Sequence, residues 1–439
     1  MAVTLSTRSD AGSAGIAYFL TAMDPRAKLK GSRDGLGAQA VWAAAARPLI
    51  GNLTTVTSSL RGFTTLLVGL RLADMASVGP APDAAGAPFL AWEQIAGYAR
   101  HVCHGHRGFF GLQRIATRAA AAQGAGGRVV VSADPEQQIL SNQRTDGLLG
   151  NYTAPARVSG LLMPGTPARL TPEAAAFVDQ VYLPRLAAGW GPNARDLVRA
   201  LRQDSTRLDI RPNARLAAVA SVFGVRLTDV EVDFYRRHLV DGGPSDVTRG
   251  RQARLAVVLE SRLAESEPLS RQRVEHLAAE ADRRGYGDVD GLLREIVACE
   301  SVLAPATALF SYVLGRDGDR GSDIAADVRD AWGPTLDSVD AGAVSVLPAG
   351  HWHAIAASLT SGDYDGAVTA LAERNEAVMR ERGGAAPWLS LTNGRLRIRF
   401  RGEDAGHLPD GGEIRALWWY PYFIPSLRAI LAGLRDDGR

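Results

Sequence analysis

Apolar positions recur every three or four residues through most of the chain from residue 36 to about 385. That is the period of a helix with one buried face. The clearest run is 52–73, where Leu53, Val56, Leu60, Phe63, Leu67 and Leu70 share a face and Asn52 stands at the N-cap position. The other face carries Thr54, Thr57, Arg61, Thr64 and Thr65. β-Branched threonines are mediocre helix formers, so tertiary packing or partners for the hydroxyls must hold this helix. The same reading predicts helices near 35–46, 89–104, 107–123, 172–190, 194–203, 212–223, 229–239, 247–264, 270–284, 288–299, 302–315, 362–382 and 425–435. Leu371, Ala372, Asn375 and Val378 run along the 362–382 helix. Thr171-Pro172-Glu173 starts one helix with a cap and a first-turn proline. Thr228, with Glu231 three residues on, forms a capping box for another. Residues 79–88 read as a loop, 124–135 as a short strand between turns, and the Gly- and Pro-rich 145–171 as irregular.

Near the C-terminus the period changes to two. In 387–402, Leu396, Ile398 and Phe400 alternate with Arg395, Arg397, Arg399 and Arg401, behind Asn393-Gly394, the dipeptide of a type I′ hairpin turn. The expected fold is therefore mainly α: a multi-helix globular protein with a small C-terminal β-hairpin. The punctuation divides it into an N-terminal helical domain (1–165), a middle helical domain (166–345) and a helix-plus-hairpin region (346–439).

Composition narrows the class. The 439 residues are 46% hydrophobic and 22% charged, a globular balance. Two cysteines, Cys103 and Cys299, exclude a disulfide framework and point to a reducing compartment. The N-terminus has no apolar stretch behind a basic start, and the longest charge-free apolar runs fall short of the roughly 20 residues that span a bilayer. A soluble, cytoplasmic protein without a membrane partner is expected. The net charge of +2 supplies no global field toward nucleic acid. Of the 49 basic residues only Lys28 and Lys30 are lysines, the bias of a GC-rich genome, and both fall in one segment.

Four groups of residues carry candidate chemistry. His101, Cys103, His104 and His106 are zinc-ligand types, although their spacing matches no standard finger and a helix C-terminus also favours histidine. Zinc is the cofactor this cluster would take; otherwise none is expected. Lys28, Lys30 and Arg33 precede glycines that lead into a helix, an arrangement that can cradle phosphate or simply make a tight connection. Arg395, Arg397, Arg399 and Arg401 would form one row along a strand, able to follow a phosphate backbone or to guard a sheet edge. Trp418, Trp419, Tyr420, Tyr422 and Phe423 would make a docking surface for a protein partner if exposed. Ser141, Asn142, Gln143, Arg144 and Tyr152 add a polar patch, either pocket lining or loop hydrogen bonding. GxSxG, HExxH, Walker and GxGxxG signatures are absent, so no catalytic residue is assigned.

Residues 23–70, with 141–162, resemble a group of bacterial proteins encoded beside helicases and phospholipase D-type nucleases in phage-defence gene clusters. The resemblance covers about a sixth of the chain and carries no active-site motif. It implies a non-catalytic accessory or sensor subunit of an antiphage system, binding DNA, a helicase or nuclease of the same operon, or both. A metal-dependent enzyme using His101–His106 and a purely protein-binding helical scaffold are the alternatives.

Overall fold

The computed structural model describes residues 34–77, 86–224, 226–261, 268–339, 343–384, 386–401 and 405–435. Among them the chain is mainly α-helical, with two antiparallel two-stranded sheets. Backbone packing separates two compact units, each gathered from three stretches of chain. The first takes residues up to Ala45, Pro268–Ala279 and Asp290–Tyr420; the second takes Ala46–Glu267, Glu280–Val289 and the residues from Pro421 on. The three consecutive regions read from the sequence do not coincide with these units.

In the second unit, the expected 52–73 helix begins only at Leu60 and runs to Ala76, capped by Ser59, whose side chain accepts from the Gly62 N–H at 3.2 Å. The Thr57 hydroxyl accepts from the Thr54 N–H at 2.7 Å and closes a turn in place of the first helical turn. Asn52 is not a cap. It is buried, its Nδ2 donating to Ser159 Oγ (3.0 Å) and the His238 carbonyl (2.9 Å), its Oδ1 accepting from Gln252 Nε2 (2.8 Å). Nor is the helix two-faced. Its threonines are buried with partners: Thr64 Oγ1 lies 2.8 Å from Tyr235 Oη, and Thr65 Oγ1 donates to the Arg61 carbonyl. The Gly86–His104 helix packs beside it, closely because Gly69 has no side chain: a Cβ there would lie 2.4 Å from Trp92 Cδ1.

Two other expectations change. The helix Gln143–Asp146 runs into the 145–171 stretch and the helix Leu148–Val158 lies within it, with Pro155 inside. The 172–190 segment is two helices, Pro172–Val181 and Leu183–Trp190, because Pro184 lacks the N–H that would continue the first. Both predicted caps form: Thr171 accepts from the Ala174 N–H, and Thr228 with Glu231 makes the reciprocal box. The strand Arg128–Ser132 pairs antiparallel with Ser205–Asp209, Val130 opposite Arg207.

In the first unit, Leu389–Thr392 and Arg395–Ile398 form the predicted hairpin, Thr392 opposite Arg395. Asn393 (φ 53°) and Gly394 (φ 71°) both take the left-handed conformation that the two-residue turn requires. The outer edge of the second strand is covered: the Gly318 N–H donates to the Leu396 carbonyl and the Leu396 N–H to that of Asp319. Asn375, buried in the Tyr364–Glu381 helix, ties this corner together. Its Nδ2 donates to the Gly35 carbonyl at 2.8 Å, and its Oδ1 accepts from the N–H groups of Trp388 (2.8 Å) and Leu389 (3.1 Å). The helices expected at 288–299 and 302–315 are one, Gly287–Val313, continuous through Pro305. By length and composition it could cross a membrane, but 89% of its most apolar window is buried within the fold, as in a core helix.

Candidate functional site

The second unit holds a pocket of about 280 Å³. Its walls come from the turn before the Leu60–Ala76 helix (Val56, Ser58, Ser59), from Gly62 and Thr65 in that helix, from the Gly86–His104 helix, from Phe109 and Phe110, and from the Leu148–Val158 helix. The Tyr152 ring lies flush against Gly62, where a Cβ would come within 2.6 Å of it, so glycine is required for the ring to reach this wall. The Ser59 N–H donates to Tyr152 Oη at 3.3 Å. Burial pushes the Tyr152 hydroxyl up to about 12, so it stays protonated.

Two ionisable groups on one helix face the pocket. Glu93 is 4% exposed. Its Oε2 accepts from Gln143 Nε2 at 2.8 Å and its Oε1 from the Leu148 N–H at 2.9 Å. Burial raises its carboxyl to about 7, against the lowering effect of these two hydrogen bonds. Two turns along, Arg100 is 5% exposed and has no ion pair or side-chain hydrogen bond among the described residues; its Nε is buried without a partner. Its guanidinium carbon sits 4.7 Å from the Phe109 ring centre and 5.7 Å from that of Phe223. Burial, and then the like charge of Arg61, lower it to about 10, which leaves it cationic at neutral pH. Buried arginines are ordinarily paired, and an unpaired one is costly unless something else supplies the anion.

The residues singled out from sequence fall in several places. Gln143 and Tyr152, from the polar patch, are at this pocket, one holding Glu93 and the other lining the wall. The histidine cluster lies at the end of the Arg100 helix without assembling a metal site. His104 and His106 stack with ring centres 4.8 Å apart, His104 Nε2 lies 2.8 Å from the Ala220 carbonyl oxygen, and Cys103 is exposed. Among the described residues, no three His, Cys, Asp or Glu side chains come together to hold a metal. Burial, with Arg61, Arg100 and His104 nearby, lowers His106 to about 4, and its Nδ1 is buried without a partner.

Lys28, Lys30 and Arg33 lie outside the described residues. Arg395, Arg397, Arg399 and Arg401 are all exposed, but the strand ends at Ile398, so only Arg395 and Arg397 lie on it and the four do not form one strand row; Arg395 also donates to the Gly318 carbonyl at 2.8 Å. The aromatic run does not form one exposed face. Tyr422 and Phe423 are buried, Trp418 and Tyr420 are half-buried, and only Trp419 is exposed, at 43%. Tyr420 Oη is 2.7 Å from Thr307 Oγ1, and Trp418 Nε1 donates to the Tyr420 carbonyl. Core packing therefore uses most of the rings that a docking surface would have needed.

Sequence reasoning missed Arg100 and Glu93. Neither sits in a motif; what marks them is burial and, for Arg100, the lack of a partner. Their seven-residue interval, which places them on one helix face, was present in the sequence but is common by chance. No protein-family model, curated protein or solved structure matches the chain.

Proposed function

We propose that the second unit binds a small anionic molecule in the pocket around Arg100, and that this binding is the input of a sensor or accessory subunit. The observation that supports this reading is the guanidinium of Arg100, buried, charged and unpaired at a pocket wall. Such a group recovers its lost solvation when a carboxylate or phosphate oxygen accepts its donors. The hydroxyls of Ser58, Ser59 and Tyr152 stand on the same lining. The phage-defence setting implied by the sequence resemblance gives such a sensor a role, with a helicase or nuclease as the component it would report to.

Thermal unfolding of the full chain in a panel of phosphates and carboxylates tests the proposal. An occupied site stabilises the protein by about 2.7 kcal/mol when the ligand stands at 100 times its Kd. The expected result is a rise in Tm that Arg100→Met abolishes. A rise that survives in Arg100→Met, or none with any anion, overturns the reading.

Direct contact with DNA is a second reading, favoured by one observation: the exposed guanidiniums of Arg397, Arg399 and Arg401 have no side-chain partner among the described residues. DNA binding that persists after these three are changed to Gln removes it.

A further inference from the structure

Arg100 and Glu93 both line the pocket, and the helix that carries them separates them by seven residues. Helical rise sets their Cα atoms about 10 Å apart along the axis. The pocket therefore has two chemically different ends. Beside Arg100 are two further nitrogen-bearing side chains, those of Arg61 and His106, and the His106 Nδ1 is buried without a partner. That end suits a multiply charged oxyanion. At the other end, each oxygen of Glu93 accepts one hydrogen bond. Once ionised, the state that ligand donors favour, a carboxylate has about four acceptor positions, so each oxygen can accept one more donor, side by side. Phe109, Phe110 and Tyr152 line the space with ring surface. Arginine is the side chain that pairs bidentately with phosphate, and aromatic rings are the usual stacking platforms for bases.

We infer that the ligand is a single purine nucleoside monophosphate with a guanine-type edge, its phosphate on Arg100 and its ring N–H and exocyclic amine on Glu93. The assignment rests on the reading of the pocket as an anion site. An α-amino acid is too short, since its two charges flank a single carbon. Inorganic phosphate leaves Glu93 and the rings unused. A uracil edge presents carbonyl oxygens on both sides of its one N–H, and these would face the oxygens of Glu93. The pocket, about 280 Å³, is at the small end of the range for small-molecule sites.

Titration calorimetry of the full chain with GMP, guanosine, inorganic phosphate, IMP and UMP decides the matter. IMP keeps the ring N–H and loses the exocyclic amine, so it isolates the second donor. GMP is expected to bind about tenfold or more tighter than IMP and UMP, the range given by one lost hydrogen bond of a bidentate pair. It should exceed guanosine and phosphate by more than that. Arg100→Met should reduce GMP to the level of guanosine, and Glu93→Gln should close the gap between GMP and IMP. Should Glu93→Gln lose its cooperative melt, the GMP-to-IMP ratio of the unaltered protein carries the test, and a ratio near one overturns the assignment. Phosphate binding as tightly as GMP, with both lost in Arg100→Met, overturns the nucleotide and leaves the anion site standing. No binding by any of these ligands, phosphate included, overturns both.

Discussion

A buried charge without a partner costs several kcal/mol, and the rings of Phe109 and Phe223 return only about 2 kcal/mol of that through cation–π attraction. Arg100→Met keeps most of the side-chain volume and removes the charge. The empty protein should therefore become more stable by about 1–3 kcal/mol. Urea unfolding without added anions measures this. A loss of stability would mean that the guanidinium is held for its packing and that its charge is satisfied in a way unconnected with any ligand. The sequence could not reveal this residue. One arginine among 47 carries no signal, and the absence of a partner is a property of the folded state. The histidines immediately after it drew notice as zinc-ligand types close together; His104 and His106 stack on each other, and His104 reaches the Ala220 carbonyl.

At the scale of elements, local chemistry was legible wherever it was self-contained. The Thr228 box, the Thr171 cap and the Asn393-Gly394 turn need only neighbours in sequence, and all three form. The failures are where distant groups decide. Periodicity alone placed the start of the Leu60–Ala76 helix seven residues early, because Asn52 is claimed by Ser159, His238 and Gln252, far along the chain. Glycine and proline in 145–171 masked two helices whose burial outweighs propensity. Asn375 shows the same long-range logic in a form that can be measured. Replacing it with Leu strands three backbone groups, the Gly35 carbonyl and the N–H groups of Trp388 and Leu389. Each unsatisfied group costs about 1–3 kcal/mol, so the variant should lose about 3 kcal/mol or more in chemical denaturation. A loss under about 1 kcal/mol would show that water replaces the side chain.

At the scale of the whole molecule, a net charge of +2 leaves any DNA affinity to local contacts. Three arginines without side-chain partners limit the slope of log K against log salt to about −3, since each phosphate contact contributes roughly −0.9. Filter binding or fluorescence anisotropy across a salt series gives this slope, and a value near −5 would bring in Lys28, Lys30 and Arg33. The helical class was legible in the sequence; the two units were not, because segments that are remote along the chain complete each one. The pocket-bearing unit receives its last piece from the far end. The Ile424–Leu434 helix buries Leu427, Ile430, Leu431 and Leu434, its Ser426 hydroxyl donates to the Thr54 carbonyl at 2.8 Å, and Phe423 lies under the Arg47 guanidinium at 4.0 Å. A ribosome delivers that helix well after Ala46–Glu267, the stretch it completes. Until it emerges, the helices it packs against, Leu60–Ala76 and Arg251–Glu260 among them, keep the face it covers open to water.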